Sequence, residues 1–484
     1  MILIQLNKED FEYDIHSLVK AFYPSENVSV CFREKAEKLQ EEARLILDVD
    51  YGPDSITIKA ALPEGGHPQV SFPADYEDRR QTKNLLKMNL YQLLCAHTGK
   101  TLPWGTLTGI RPVKIPMSMM EQGRDAAAIT RYMKETYAAS QEKIDLSIEI
   151  ARRERSLLGQ LDCEQGYSLY IGIPFCPSTC LYCSFTSYPL SVWESRIDDY
   201  LDALEKEIAD TARQFAGRHL NTIYIGGGTP TTLSPRQLER LLSCLENSFD
   251  YSHLLEFTAE AGRPDSIDRE KLETLRAHGI TRISVNPQTM KQETLDFIGR
   301  RHTVEQTVES FRLARSLGFD NINMDLIMGL PKETLDDVRH TFDRLKMLEP
   351  DSITVHSLAL KRAAGLAMFS EEYAGVKMLN TQEHLDTAAS ACAQMGMKPY
   401  YLYRQKNMAG NFENTGYARE GKAGIYNILI MEEKQTIAAL GAGSISKRAE
   451  PGERIKRCAN VKDVSQYITR IGEMIERKRR LWNA

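Results

Sequence analysis

Between residues 168 and 357, short apolar runs alternate with longer stretches whose apolar residues recur every three or four positions. The short runs are SLYIGI (168–173), NTIYIG (221–226), LEFTAE (255–260), TRISVN (281–286), NINMDLIM (321–328) and SITVHS (352–357). Strand-like runs separated by helix-length segments predict βαβ units and a parallel sheet, and six such units make a partial (β/α)6 barrel over residues 165–360. In the first intervening segment Ile197, Leu201, Leu204, Ile208 and Phe215 stand at near-helical spacing among Asp, Glu and Arg, the pattern of an amphipathic helix covering the sheet. Working residues in such barrels stand at the carboxyl ends of the strands and in the loops that follow.

The flanks read differently, within a fold class that is α/β overall. Residues 1–150 form an N-terminal α/β module: ILIQL (2–6), LILDVDY (45–51) and SITIKAAL (55–62) are strand-like, and a basic helical stretch follows at 79–94. The segment LPWGTLTGIRPVK (102–114) has the Pro and Gly signals of an ordered loop; its Arg111 and Lys114 read as surface charge ahead of contacts to an acidic ligand. Residues 361–484 read as a C-terminal α+β domain. A helix at 381–395 leads to the aromatic and basic run PYYLYRQKN (399–407), then to two strand-like segments, IYNILIM (425–431) and TIAALGAG (436–443). The last helix, from about 461, ends in ERKRR (476–480), a charge run that reads as a solvated helix end favoured by the helix dipole.

At 484 residues the chain has material for two or three domains. Its 61 basic and 66 acidic side chains nearly cancel, so no strong field selects nucleic acid or an anionic membrane as partner. The apolar start MILIQL is too short for a signal peptide, and nowhere do 18 apolar residues follow one another. The expectation is a cytoplasmic protein with no integral membrane segment, whose nine cysteines stay reduced.

Three of those cysteines carry chemistry. Cys176, Cys180 and Cys183 form a C-x3-C-x2-C run directly after the first barrel strand. Three thiolates on one loop can hold three irons of a 4Fe-4S cluster and leave the fourth open to a small ligand. The competing readings are a structural zinc site and ordinary core cysteines. Zinc usually takes two ligand pairs, and no second C-x2-C or close His pair occurs; Cys31, Cys95, Cys163, Cys244, Cys392 and Cys458 are scattered singly. Spacing alone leaves these alternatives open.

Polar groups recur at the later strand ends. The second strand runs into Gly226-Gly227-Gly228-Thr229-Pro230, where glycines let backbone approach a ligand. The third ends in Glu260 within EAGRPD, the fourth leads to Gln288 within SVNPQT, and the fifth carries Asp325 within NMDLIMGLP. A carboxylate can accept both hydroxyls of a ribose, an amide can orient a polar ligand, and Arg300 in FIGRRHT offers a permanent charge suited to a carboxylate.

The cysteine spacing, with Tyr182 just before the last Cys, resembles the radical S-adenosylmethionine (SAM) superfamily. The ordered set YIGIPFC, GGGTP, EAGRPD, SVNPQ, IGRRHT and MDLIMGLP resembles the oxygen-independent coproporphyrinogen III oxidase family and its heme-chaperone relatives, over about residues 170–470. With the N-terminal module, LPWGTLTGIRPVK and PYYLYRQKNMAGN, the chain is most similar to the HemZ-type coproporphyrinogen dehydrogenase branch. The resemblance implies a 4Fe-4S cluster on Cys176, Cys180 and Cys183 and one or two SAM molecules. It assigns SAM contacts to Tyr170, Tyr182, Gly227, Gly228, Thr229, Glu260, Gln288, Arg300, Asp325, Ala359 and Ile445. It further implies a reducing protein such as flavodoxin or ferredoxin, and oxidative decarboxylation of a tetrapyrrole, coproporphyrinogen III, to protoporphyrinogen IX.

A substrate with four propionates needs cations. Lys361 and Arg362 follow the sixth strand, and Arg404 and Lys406 lie among Tyr400, Tyr401 and Tyr403; substrate binding and ordinary surface charge remain open for both groups. Three departures from the family pattern bear on substrate. Phe185 stands where the best-known oxidases carry a fourth cysteine, and Gly172 where they carry a histidine. Glu413, in Glu413-Asn414-Thr415-Gly416-Tyr417, stands where the chaperone branch carries a heme-binding histidine. The alternatives are a heme chaperone and a radical SAM methyltransferase that opens the heme ring.

Overall fold

Alternation sets the first sheet. Every second residue is buried along β3 (Leu45–Tyr51) and β4 (Ser55–Ala61), whereas all five residues of β1 (Ile2–Leu6) are buried, as suits a central strand covered on both faces. With β2 (Val28–Phe32) and β5 (Gln69–Pro73) they form a sheet of order β2-β1-β3-β4-β5, parallel around β1 and antiparallel beyond β3. The two outer strands are not evident in the sequence pattern; β5 is an exposed edge ending in proline. The structure is a computed structural model that describes residues 1–483 except 25, 34–36, 186, 360–363, 369–377, 406–411, 451 and 453.

This sheet belongs to the first of two compact units, made of Met1–Ala151 together with Leu402–Glu413. The helix Arg79–Thr98 buries Leu86, Leu90 and Leu94 at four-residue spacing; Asp78 caps its start on the Gln81 amide at 3.0 Å, and Gly99 ends it in the left-handed conformation. A second core gathers on Trp104 with Val113, Met117, Ile129, Met133, Ile144 and Leu402. Trp104 Nε1 donates to Glu413 Oε2 at 2.7 Å and Lys143 Nζ to Glu413 Oε1 at 2.7 Å, which ties Glu413 into the unit. Lys143 and Glu413 are 2% and 4% exposed, so each depends on the other. A cut before residue 149 takes Trp104 and Lys143 away from Glu413.

The second unit is Arg152–Tyr401 with Asn414–Ala484. Six strands, β6 (Gly166–Ile173), β9 (His219–Gly227), β10 (Glu256–Glu260), β11 (Arg282–Ser284), β12 (Ile322–Met328) and β13 (Ser352–Ser357), lie parallel in chain order, as the run pattern predicts. Between β6 and β9, β7 (Phe175–Cys176) and β8 (Tyr188–Pro189) pair across the cysteine loop. The later strands extend the same sheet rather than form one of their own. β14 (Lys398–Tyr403) and β15 (Asn414–Ala418) lie beyond β13, and β16 (Thr436–Leu440), β17 (Ile445–Glu450) and β18 (Arg454–Ala459) lie beyond β6. The result is an open, mixed α/β sheet whose parallel centre is the partial barrel.

Outer helices show why the sequence folds this way. Pro235–Ser248 buries Leu238, Leu241, Leu242 and Leu245, begins with Pro at its first position, and has a capping box in which Ser234 and Gln237 exchange hydrogen bonds. The helix Ile197–Gln214 buries the predicted Ile197, Leu201, Leu204 and Ile208.

Two expectations need correction. IYNILIM is a helix, Ile425–Glu432, not a strand; only Asn427 interrupts its apolar residues, so periodicity cannot separate the two, and the segment buries Tyr426, Ile428 and Leu429. The charge run at 476–480 is not simply solvated. In the helix Ile471–Asn483, Lys478 falls on the face of Met474 and Leu481 and is buried. Its Nζ donates to Glu207 Oε1 at 2.6 Å, and Glu207 also accepts from Tyr467 (2.6 Å), Asn460 (2.8 Å) and the Gly441 amide (2.8 Å). Among the described residues no helix is long and apolar enough to cross a membrane.

Candidate functional site

β6 ends at Ile173, and Pro174 turns the chain into a loop tied down at several points. The Gly228 and Thr229 amides donate to the Ile173 and Phe175 carbonyls at 2.8 and 2.7 Å, and the Leu181 amide donates to Ile298 at 3.0 Å. Ser178 Oγ donates to the Gly299 carbonyl at 3.1 Å, and Cys176 Sγ lies 3.5 Å from Thr229 Oγ1. Cys176, Cys180 and Cys183 are all free thiols, Cys180 the buried one. Burial pushes the Cys176 thiol up and the Cys183 thiol up to about 11, so they become thiolates only against a strong cation. Among the described residues no three His, Cys, Asp or Glu side chains are grouped to hold a single metal ion. A cluster asks for something else, since each thiolate binds a different iron and the sulfurs stand apart.

The sheet order sets the other predicted residues side by side. Tyr170 on β6 faces Tyr224 on β9 in register, their rings stacked at 6.3 Å, and Tyr426 stacks on Tyr224 at 4.6 Å. Gly227 at the end of β9 has φ 106°, and a Cβ on Gly228 would stand 2.5 Å from the Phe175 carbonyl oxygen. Only glycine fits either position, which keeps bare backbone at this strand end. Glu260 at the end of β10 accepts from Tyr224 OH at 2.6 Å. Gln288, just after β11, bridges to Leu326 of β12 with a left-handed φ of 68°, and its buried Oε1 has no partner. Such strain in a non-glycine residue collects at functional sites.

Arg300 is buried, with Nη1 donating to the Asn286 carbonyl at 2.7 Å and Nη2 to Gly262 at 2.9 Å, while Nε has no partner. Tyr182 lies in the cysteine loop, where burial first and then Cys180 hold its phenol well above the ordinary range and Arg300 draws it down. Ala359 follows β13, and Ile445 opens β17 just past the carboxyl end of β16, half exposed.

The two carboxyls titrate apart. Burial, joined by Asp325, pushes Glu260 up to about 7 against the opposing hydrogen bond from Tyr224. Burial would raise Asp325 as well, but His356, 3.7 Å away, and Asn323, donating at 2.7 Å, hold it below its usual range. As pH rises Asp325 therefore ionises first, and Glu260 gives up its proton only around 7. Folded Glu260 keeps its proton better than unfolded glutamate, so its contribution to stability is complete below about pH 4.5 and is lost as pH rises towards 7. In the cofactor-free protein, Glu260→Gln is expected to flatten the fall of unfolding free energy between pH 5 and 7 by about one proton. Urea titrations across that range measure it, and an unchanged slope refutes the raised carboxyl.

Arg404 is placed elsewhere. It is buried in the first unit, where Nη1 donates to the Leu107 carbonyl at 2.5 Å and Nε to Phe412 at 3.2 Å. Lys361, Arg362 and Lys406 lie outside the described residues. Sequence reasoning missed Tyr224, His356 and Asn323. For Tyr224 the signal was present, since YIG recurs at 170–172 and 224–226 and the two runs pair in register. His356 and Asn323 are single polar residues in apolar strands, a weaker sign.

The residues fit a cluster with a small polar ligand beside it: a loop of three thiols, a glycine cradle, and the unpartnered buried atoms Gln288 Oε1 and Arg300 Nε. Comparison with known proteins agrees. The model of the radical SAM superfamily matches residues 170–345. The chain is 37% identical over 472 residues to the oxygen-independent coproporphyrinogen-III oxidase-like protein HemZ of Bacillus subtilis, covering 94% of each. It is 40% identical over 195 residues to the heme chaperone HemW of the same organism, covering 40% of this chain and 51% of that one. Of solved structures, the coproporphyrinogen III oxidase HemN of Escherichia coli, described as a radical SAM enzyme, matches with TM-score 0.52 and 26% identity over 66% of this chain and 73% of that one.

Proposed function

Because the chain belongs to the oxygen-independent coproporphyrinogen III oxidase family of the radical SAM superfamily, in its HemZ-type branch, we propose that it oxidatively decarboxylates coproporphyrinogen III to protoporphyrinogen IX. The family's cofactors are a 4Fe-4S cluster and SAM. When bound, they supply reductive cleavage of the SAM sulfonium and thereby a carbon radical that takes a hydrogen atom. In this reading Cys176, Cys180 and Cys183 hold the cluster. Gly227 and Gly228 lay backbone against the methionine end of SAM, Glu260 and Asp325 accept hydroxyls, and Gln288 and Arg300 complete their hydrogen bonding on it.

The substrate change balances simply. A propionate loses one hydrogen atom from its β carbon, one further electron to an acceptor, and carbon dioxide; a vinyl group remains, and two rounds complete the product. A reducing protein such as flavodoxin or ferredoxin supplies the electron that starts each round.

The observation that carries the reading is the row of polar groups at adjacent parallel strand ends beside a three-cysteine loop. The relatives include a heme chaperone, which makes heme carriage the second reading. Against it, Glu413 stands in the histidine's place as a buried carboxylate bound to Trp104 and Lys143, and a carboxylate is a poor axial ligand. The test is anaerobic incubation of reconstituted protein with SAM, reductant and coproporphyrinogen III, followed by mass spectrometry. Loss of one or two carbon dioxides is expected. Stoichiometric heme binding without substrate-dependent SAM cleavage would establish a carrier, and a methylated, ring-opened product a methyltransferase.

A further inference from the structure

The loop after β10 carries Arg263, 3% exposed, whose guanidinium does two things. Nε and Nη2 donate to the two carboxylate oxygens of Asp265 at 2.9 and 2.6 Å, a bidentate pair that neutralises the charge. Nη1 turns the other way, into the cysteine loop. It donates to the Ser178 carbonyl at 3.1 Å, to Ser178 Oγ at 3.0 Å and to Cys180 Sγ at 3.7 Å. Ser178 is fixed in turn on Gly299, so the stretch between the first two cysteines is clamped from the loop after β10 and from the turn that follows the helix Gln292–Phe297.

An N–H aimed at a ligand sulfur stabilises the more negative of two redox states. Hydrogen bonds to the sulfurs are among the levers that set the potential of an iron–sulfur cluster, and groups behind the ligands orient them. The geometry points to Arg263 as a positioning residue for the cluster: through Ser178 it fixes the loop, and through Cys180 it raises the potential at which the cluster accepts its electron. This inference rests on the reading that Cys180 is a cluster ligand. Asp265 acts in the opposite sense, since its charge offsets that of Arg263.

The opposed charges make the test specific. In full-length reconstituted protein, the double variant R263M/D265N removes the hydrogen bond with no change in net charge. Its cluster is expected to be harder to reduce by at least tenfold in the equilibrium, a midpoint about 59 mV more negative in a titration followed by electron paramagnetic resonance. D265N alone leaves Arg263 uncompensated and should move the midpoint the other way. R263K, which keeps the charge but not the fork, should fall between wild type and the double variant.

A wild-type midpoint in an iron-loaded R263M/D265N protein overturns the proposal. Should that variant take up no iron, D265N and R263K decide: both midpoints unchanged overturns it, and opposite shifts support it. Iron content separates this failure from failure of the ligand reading. Full iron loading in Cys180→Ala would remove Cys180 from the cluster, whatever Arg263 does.

Discussion

Replacing any one of Cys176, Cys180 and Cys183 by alanine is expected to bring iron content after anaerobic reconstitution to background and to abolish reductive SAM cleavage. In the proposed site each cysteine is one of three anchors, and a cluster already short of one protein ligand tolerates no further loss. The other thiols are poorly placed to rescue it. Cys392 is fully buried in the helix Gln382–Gln394, its thiol held far above the usual range by burial, and Cys244 lies on the outer helix Pro235–Ser248. Cys163→Ala and Cys244→Ala should therefore load iron normally. Iron analysis, visible absorption and 5′-deoxyadenosine release on the five variants settle the matter. Equal iron loss in Cys163→Ala or Cys244→Ala would mean that the ligand set is wrong. The triad variants should unfold nearly like the cofactor-free parent, since the Gly228, Thr229 and Leu181 amides hold the loop and the thiols add long contacts such as those to Thr229 and Arg263.

Lys478→Met is expected to destabilise the second unit by about 3–5 kcal/mol, the usual cost of removing one partner from a buried ion pair. Glu207 is 1% and Lys478 3% exposed at the side chain, and without the ammonium the carboxylate keeps its three neutral donors but loses its countercharge. Lys478 Nζ also donates to the Ala439 carbonyl of β16, so the same substitution frees a strand oxygen beside β6. The double variant Glu207→Gln, Lys478→Met should recover much of the loss, because no charge is then buried. Urea unfolding of the cofactor-free proteins checks both, and a single variant within 1 kcal/mol of wild type would show that the pair is solvated in solution. The effect should be on stability and not on the cluster midpoint, which distinguishes this site from Arg263.

The barrel and its cysteine loop are legible from the sequence because their signals are local. A strand announces itself within six residues, a βαβ unit within about thirty, and three ligands on one loop within eight. Glu260, Gln288 and Asp325 could be read the same way, since each follows or lies within a recognisable strand and the fold rule says where strand ends gather. Short, uniformly apolar or edge segments were harder: IYNILIM shows no period that tells helix from strand, and β5 is mostly exposed.

What only the tertiary structure decided is the meaning of charges whose partners lie far along the chain. Lys478 and Glu207 are 271 residues apart, and Trp104 and Glu413 309 apart, so ERKRR reads as surface and Glu413 as a mere substitution until the segments meet. Arg263 is one arginine in EAGRPD until the fold sets its Nη1 beside Cys180, 83 residues earlier. The physical reason is that burial makes a charge depend on its partner, and the distance between partners in the sequence carries no trace of that dependence. Periodicity and ligand spacing are properties of the chain itself: periodicity carried the fold class, and spacing narrowed the chemistry of the loop to a few readings. Pairing across the fold is a property of the packed molecule alone.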